Sequence, residues 1–323
     1  MTRRWLTRRF TTNFLVLFAA LVLNFAIPRM MPGSPVDVFA SGGKMTAEGR
    51  QAVIERFGLD KSLGDQFWRY IVNASKGDLG LSFSYFPHPV RDIIIEALPW
   101  TLFVLSASIT LQVIIGYFLG VASAWKAGTR IDAALQTVSL ALFSMPLFWV
   151  AMVLLYVFGF QLRWLPLSGA YTIGDIYSSL AEQAGDILRH AVLPILSLTV
   201  AQYASYQLIL RNNMVGVLNE QYILTAEAKG LSDRTIKHKH AARNALLPML
   251  TFLSLSFAMS ISGSVFVESI FSYPGIGKLI YDSVVSRDYP MLQGCFLVFS
   301  VVVITANFLV DIAYWFLDPR IRY

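Results

Sequence analysis

Charged residues are scarce in this chain of 323 residues. Lysine, arginine, aspartate and glutamate make up 14% of it, whereas they make up about a quarter of an ordinary soluble domain. Cysteine is almost missing, and because Cys295 is the only one, an intramolecular disulfide is impossible. Apolar residues make up 55% of the chain. Too little polar surface remains to cover a soluble core of this size, so the composition predicts a protein embedded in a membrane.

The sequence also lacks the motifs of an ATP-hydrolysing or metal-dependent enzyme. A phosphate-binding loop needs G-x-x-x-x-G-K-[ST]. The nearest run, 275–278, has Ser272 at the first glycine position and Leu279 in place of the hydroxyl residue. His238 and His240 lie on a basic segment, where we expect them to be solvated and not to bind metal. We therefore predict no catalytic residue and no metal site, and the net charge of +6 comes with no nucleic-acid motif.

Six uncharged stretches are long enough to cross a bilayer, for which a helix needs about 20 apolar residues. They are 10–28, 97–125, 133–162, 190–210, 244–267 and 289–310, the last of which continues to Leu317 interrupted only by Asp311. Strands of a barrel are disfavoured because each is only about 10 residues long with strict alternation. The sequence therefore predicts an all-α membrane protein with six transmembrane helices. Ser144-Met145-Pro146 predicts a kink in the third helix.

The distribution of lysine and arginine predicts the orientation. The N-terminus, the loops 126–132 and 211–243 and the C-terminal tail together hold 14 of them, whereas the two short loops on the other side hold two each. Short loops on the cytoplasmic side of a membrane are rich in lysine and arginine, so both termini are predicted to be cytoplasmic. A cleaved signal peptide is the alternative for the first helix. An uncleaved helix is favoured because its uncharged run has 19 residues and no A-x-A site follows.

Residues 31–96 are too long for a structureless loop. Apolar spacing predicts helices over 46–57 and 65–72, and Gly and Pro predict turns at 77–80 and 86–89. One interpretation is a small extracytoplasmic cap over a pore mouth. The other is a packing element without contact to substrate or partner, and the sequence leaves both open.

The loop 211–243 carries the most specific pattern. Good helix formers predict a short helix over about 217–229 that stops at Gly230, after which Ser232 can cap a second helix. The small residues Ala226 and Ala228 allow another surface to approach the backbone closely. Basic residues on the second helix suit a partly acidic partner. The loop is therefore predicted to be a helical docking element.

The run Thr225-Ala-Glu-Ala-Lys-Gly230, with Leu247-Pro248 downstream, resembles the EAA loop of binding-protein-dependent ABC transporter permeases. It looks like the dipeptide/oligopeptide/nickel branch, in which T-A-x-A-K-G-L-S is the usual form of this motif. Five other segments agree with this resemblance: Met31-Pro32-Gly33, Gly77-Asp78-Leu79-Gly80, the 269–277 run, Arg287-Asp288-Tyr289-Pro290 and the ending 318–323. Leu224 stands where the general pattern has a glutamate, which removes one expected acidic contact.

The resemblance implies a type I importer fold in a bacterial or archaeal cytoplasmic membrane. Residues 1–30 would form the N-terminus and first helix, 31–96 the extracytoplasmic segment, 97–316 a five-helix core that includes the coupling loop 211–246, and 317–323 a cytoplasmic tail. It also implies four kinds of partner: a second homologous permease, two cytoplasmic ATPases that use ATP and Mg²⁺, an extracytoplasmic solute-binding protein and membrane lipid. This chain itself would bind no cofactor. The residues expected to contact the ATPase are Tyr222, Thr225, Ala226, Glu227, Ala228, Lys229, Gly230, Leu231, Ser232, Arg234 and Lys237.

Polar and aromatic residues within the spans are candidates to line a solute pathway. Ordinary helix packing is the alternative, since small and hydroxyl residues also join membrane helices. The candidates are Gln202, Tyr203, Tyr206, Met145, Ser256, Ser260 and Glu268. The resemblance implies peptides as the solute, with short oligosaccharides or a nickel complex as alternatives. An ion-coupled secondary transporter would need acidic residues in mid-span, and only Asp311 qualifies.

Overall fold

The structure is a computed structural model, which describes residues 3–30, 51, 54, 55, 58 and 60–317. In chain order the helices are α1 (Arg3–Met30), α2 (Leu63–Ser75), α3 (Val90–Trp125), α4 (Arg130–Phe143), α5 (Leu147–Leu154), α6 (Leu180–Leu218), α7 (Gln221–Ala228), α8 (Asp233–Thr235), α9 (Arg243–Ala245), α10 (Leu247–Ile270), α11 (Ile276–Ser286) and α12 (Tyr289–Leu317). Two π-helical stretches, Leu155–Gln161 and Ile236–Ala242, continue α5 and α8. The predicted helix over 46–57 lies almost entirely outside the described residues.

Five helices are long and apolar enough to cross a membrane, and the bent pair α4–α5 completes six if it counts as one span. The predicted all-α fold with six spans is thereby confirmed. Helices α3 and α6 are longer than predicted, because they begin at Val90 and Leu180 and include charged residues at those ends. The length of an uncharged run shows only which part of a helix lipid can surround. The helix itself can extend beyond the membrane into water, because its backbone hydrogen bonds are internal.

The third span is broken rather than kinked. Helix α4 ends at Phe143, and α5 leaves at 95° to it after the three-residue break. Pro146 lacks an N–H and excludes helical backbone at Met145, so the helix cannot continue through this point. The Ser144 hydroxyl donates to the carbonyl of Leu140 at 2.7 Å and closes the end of α4. The predicted kink is therefore present as a sharp corner.

One compact unit contains residues 1–101 and 274–305. Here α2 confirms the helix predicted over 65–72, and Ser62 caps it by accepting from the backbone N–H of Asp65 at 3.2 Å. The ring of Phe25 meets that of Phe67 edge to face at 5.1 Å between centroids, which attaches α2 to α1. Gly77 and Gly80 have φ of 77° and 81°, which confirms the turn predicted at 77–80.

Asp288 holds the loop after this turn against the start of α12. Its buried carboxylate accepts from the hydroxyl of Ser82, from the N–H of Ser84 at 2.9 Å and from the N–H of Met291 at 3.1 Å. The last of these bonds caps α12, because helix N-termini have unpaired N–H groups that a carboxylate satisfies. One side chain thus closes a helix and positions a loop more than 200 residues away in sequence.

The other compact unit contains residues 102–273 and 306–323. Gly116 and Gly120 lie on α3 where it packs against α6, and a Cβ added to Gly116 would lie 2.4 Å from the Cβ of Tyr206. This Gly-x-x-x-Gly spacing lets two membrane helices approach closely. Helix α6 also packs against α4, α5 and α10. It is therefore the central helix of this unit.

Candidate functional site

The candidate site is the segment between α6 and α10, residues 219–246, which we call the arm. Helix α6 runs to Leu218, so the first helix of the arm begins at Gln221 and not near 217 as predicted. Asn219 marks the boundary, because its side-chain amide donates to the carbonyl of Val215 at 3.0 Å and its backbone N–H to that of Gly216 at 3.1 Å. Arg211, assigned to the loop from the sequence, therefore belongs to a span.

Gly230 ends α7 as the sequence predicts. Its φ is +72°, in the left-handed region that favours glycine. Its N–H donates to the carbonyl of Glu227 at 2.8 Å, and the N–H of Leu231 donates to that of Ala226 at 3.3 Å. These two bonds form a Schellman motif, which satisfies the last carbonyls of a helix and reverses the chain. The turn of the arm is fixed by backbone geometry.

The second half of the arm differs in detail from the prediction. Ser232 occupies the position before α8, but its hydroxyl lies 3.0 Å from the hydroxyl of Thr235 and makes no cap bond to the backbone. Its carbonyl accepts from the N–H groups of Thr235 and Ile236 instead, at 2.8 and 3.0 Å. The chain then widens into the π-helical stretch, a feature that the sequence did not indicate.

One side of the arm is built into the unit's core. Its buried residues pack with the ends of α3, α6 and α10 in a cluster of Val121, Ala124, Tyr206, Leu210, Met214, Ile223, Ala226, Ile236, Ala241, Ala242, Ala245 and Met249. Ala226, expected to admit a partner, is in this cluster, so its small side chain serves the chain's own packing. Asn244 donates to the hydroxyl of Tyr222 at 2.8 Å and ties the returning helix to α7. The arm is therefore rigidly attached to three spans.

The other side of the arm is exposed. It contains two leucines, of which Leu224 is 60% exposed, together with polar and charged groups. Of the residues predicted to couple, the exposed ones are Tyr222, Thr225, Glu227, Ala228, Lys229, Gly230, Leu231, Ser232 and Arg234. Lys237 is half-buried, with its ammonium 4.3 Å from the ring centre of Trp125. Leu224, noted in the sequence only as a departure from a pattern, adds the largest apolar contribution to this face.

A buried ionic cluster lies beside the base of the arm. Asp132 is 2% exposed and accepts from Arg211 through two bonds, Nη2 at 2.7 Å and Nε at 3.2 Å. Its carboxylate also accepts from Ser123 at 2.5 Å, from the N–H of Gly128 at 3.0 Å and from Gln136 at 2.8 Å. The cluster joins the ends of α3, α4 and α6. Sequence reasoning missed it, although Thr129-x-x-Asp132 is a helix-start pattern that could have flagged Asp132.

Four of the predicted pathway residues join two helices. The hydroxyl of Tyr206 donates to Ser256 at 2.5 Å, and the hydroxyl of Ser260 donates to Gln202 at 3.3 Å. These pairs form two rungs between α6 and α10, because their members are four residues apart on each helix. Tyr206, Ser256 and Ser260 are completely buried within this chain, where they join two helices, and their expected place in a solute pathway stays a prediction.

The remaining pathway candidates belong to three different segments. Tyr203 is buried, and its hydroxyl lies 3.2 Å from that of Ser139 on α4. Met145 is half-buried at the corner between α4 and α5. Glu268 is buried at the end of α10, and burial, followed by the negative charge of Glu268, raises the pKa of Tyr273.

His238 has a partner within the protein. Its Nδ1 lies 2.8 Å from the hydroxyl of Tyr117, and the two rings are 5.9 Å apart. Within residues 3–30 and 60–317, no group of three His, Cys, Asp or Glu side chains could hold a metal ion.

Comparison with known proteins gives a consistent result. Residues 112–323 match the family model described as binding-protein-dependent transport system inner membrane component, and residues 1–105 match the N-terminal model of such membrane components. The chain is 36% identical to the di/tripeptide transport system permease protein DppB of Pseudomonas aeruginosa, over 99% of this chain and 98% of that protein. It is 34% identical to the oligopeptide transport system permease protein AppB of Bacillus subtilis over 99% of each. It is 38% identical to the glutathione transport system permease protein GsiC of Escherichia coli O6:H1 over 95% of each.

Among solved structures, the chain is similar to a chain of the MetNI methionine ABC transporter in an inward-facing conformation. The TM-score is 0.58 at 12% identity, and the match covers 70% of this chain and 96% of that chain. At this identity the similarity demonstrates a common fold.

Proposed function

Because the chain belongs to the family of binding-protein-dependent transport system inner membrane components, we propose that it is a permease subunit of an ATP-driven importer of short peptides. The names of the three relatives refer to di/tripeptides, oligopeptides and glutathione, all of which are peptides. None of these names refers to an oligosaccharide or to nickel. The solute assignment depends on these names, since specificity in such systems lies largely in a separate binding protein.

The exposed face of the arm is the docking surface for a separate cytoplasmic ATPase. The observation that supports it is the contrast between the two sides of the arm. One side is anchored in the core at the ends of α3, α6 and α10, while the other exposes Tyr222, Leu224 and Leu231. An exposed apolar patch with a polar surround marks a protein interface. A push on the exposed side is transmitted to the spans because the packed core between them does not deform continuously.

The remaining parts of the assembly follow the same proposal. A second homologous permease completes the pathway, two ATPases hydrolyse ATP with Mg²⁺, and a binding protein delivers the solute on the side away from the arm. The count of basic residues supports a cytoplasmic arm and cytoplasmic termini. The segment 31–96 then lies on the outer side of the membrane, where a cap over a pore mouth and a packing element are the two interpretations that the sequence leaves open.

The experiment replaces Gly230 and compares it with Gly77. Both glycines have φ above +70° and end a helix in a Schellman motif. A Cβ added to either glycine would meet no atom within 4 Å. Substitution therefore strains the backbone equally without a clash. Gly230→Asn should retain function because asparagine tolerates this conformation, whereas Gly230→Pro is incompatible with it and removes the bond to Glu227.

The measurements are membrane insertion, co-purification of the ATPase and uptake of a labelled tripeptide by cells containing the complete transporter. We expect Gly230→Pro to insert normally but to lose both the ATPase and uptake. The matched variant Gly77→Pro should retain the ATPase. Normal uptake in Gly230→Pro would refute the role of the arm. Inhibition of tripeptide uptake by excess oligosaccharide, with no inhibition by excess unlabelled peptide, would refute the solute assignment.

A further inference from the structure

A groove of about 470 Å³ lies between α3 and the second half of the arm. Its walls are formed by Tyr117 and Phe118 from α3 and by Arg234, Thr235, His238 and Lys239 from the arm. We call it the basic groove. All six residues belong to the same compact unit, and of these only Tyr117 also packs against the buried core of the arm.

The groove combines positive charge with an aromatic wall. Arg234 and Lys239 are exposed, and among the described residues neither forms a salt bridge. No carboxylate lines the groove, since the neighbouring Asp233 lies outside its walls. Guanidinium and ammonium groups that converge without an acidic partner favour an anion, and a guanidinium matches a phosphate through two parallel bonds.

The position of the groove indicates where that anion comes from. Phe118 is 59% exposed on α3, a helix that crosses the membrane. It lies seven residues before Trp125, which corresponds to about 10 Å along the helix axis. Trp125 carries Lys237 over its ring, an arrangement typical of the membrane interface. One end of the groove therefore meets charged groups at headgroup depth, and the other meets an apolar surface that faces acyl chains.

We infer that the basic groove binds the headgroup phosphate of an anionic phospholipid in the leaflet on the arm's side of the membrane. Arg234 and Lys239 contact the phosphate, and an acyl chain packs against Phe118. A soluble ATPase cannot reach Phe118 without entering the hydrocarbon region, which is why lipid is favoured over an acidic protein surface. The bound lipid ties the arm to α3, so lipid composition controls how firmly the arm is held. The inference needs only the membrane-spanning fold and does not depend on the solute or on ATPase docking.

The test measures lipid binding by native mass spectrometry of the full chain in detergent. Phosphatidylglycerol is titrated against phosphatidylcholine, without ATP, peptide or partner proteins. Two basic side chains near an anionic headgroup together contribute roughly thirty-fold in affinity. We therefore expect the double variant Arg234→Gln/Lys239→Gln to lose phosphatidylglycerol binding by about that factor, with phosphatidylcholine unchanged. Both residues are exposed, so the variant should fold normally.

A control variant, Lys229→Gln/Arg243→Gln, removes the same charge from exposed positions of the arm outside the groove. It should bind phosphatidylglycerol like the parent chain. An equal loss in the control would overturn the inference in favour of overall charge, and no loss in the groove variant would refute it directly. Displacement of the lipid by millimolar inorganic phosphate would assign the groove to a free anion. Because Arg234 also lies on the proposed docking face of the arm, the ATPase is tested with Lys239→Gln alone, and loss of ATPase co-purification by that variant in lipid-free detergent would assign the groove to the protein partner.

Discussion

Removing Arg211 should destabilise the chain more than any other single change at the base of the arm. Asp132 is almost fully buried and receives two of its bonds from this guanidinium. Arg211→Met keeps most of the aliphatic length but leaves a buried carboxylate without a counter-charge. Removing one partner of a buried ion pair costs about 3–5 kcal/mol. The three remaining donors, Ser123, Gly128 and Gln136, are neutral and cannot replace the charge.

Neutralising Asp132 should lower the free energy of unfolding less than removing Arg211 does. Asp132→Asn removes the charge from the buried position and keeps its shape, while Arg211 remains partly accessible to water. The double variant Asp132→Asn/Arg211→Met should therefore be more stable than Arg211→Met alone by about 0.5–3 kcal/mol, which is the range for coupled neighbours. This order of stabilities follows from desolvation, because a buried carboxylate without a counter-charge destabilises the folded state most.

The assay is reversible unfolding of the purified chain in mixed micelles, with the free energy of unfolding compared across the three variants. Arg243→Met is the control, because Arg243 is an exposed arginine of the arm with no salt bridge among the described residues. It should change the free energy by less than about 0.5 kcal/mol. If the effects of Asp132→Asn and Arg211→Met add without coupling, or if Arg211→Met matches the control, the pair contributes nothing and the reasoning fails.

Three further predictions concern packing elsewhere. Gly116→Ala should lower the free energy of unfolding by about 1–3 kcal/mol, because its Cβ has no room against Tyr206, whereas Gly185→Ala, which meets open space, should be neutral or slightly stabilising in the same micelle assay. Asp288→Ala should expose the loop around Ser82 to protease, since three donors lose their acceptor; unchanged cleavage of that loop would contradict the role given to Asp288. Tyr206→Phe should lower the free energy of unfolding by about 0.5–1.5 kcal/mol and leave peptide uptake within about twofold, whereas a change of solute preference would support the pathway role of Tyr206.

Some of the arm could be read directly from the sequence because its signals are local. Gly230 ends α7 since only its own φ and the hydrogen bonds of the preceding turn are involved. The start of that helix was placed too early, because nothing in the residues near 217 indicates how far α6 extends. The polar residues of α6 and α10 were ambiguous for a similar reason: a tyrosine with a serine partner and a tyrosine in a pathway have the same sequence pattern.

The sequence by itself determined the membrane environment, the number of spans, the position at Pro146 where the third span bends and the turn at Gly230. Each of these depends on the length of an uncharged run or on the backbone preference of one residue, and both can be evaluated without knowing the neighbours. Only the tertiary structure decided which residues are partners. Asp132 and Arg211 are 79 positions apart, and the basic groove combines α3 with a segment more than a hundred residues later. Distances between such side chains depend on how the helices pack, and no local propensity contains that information.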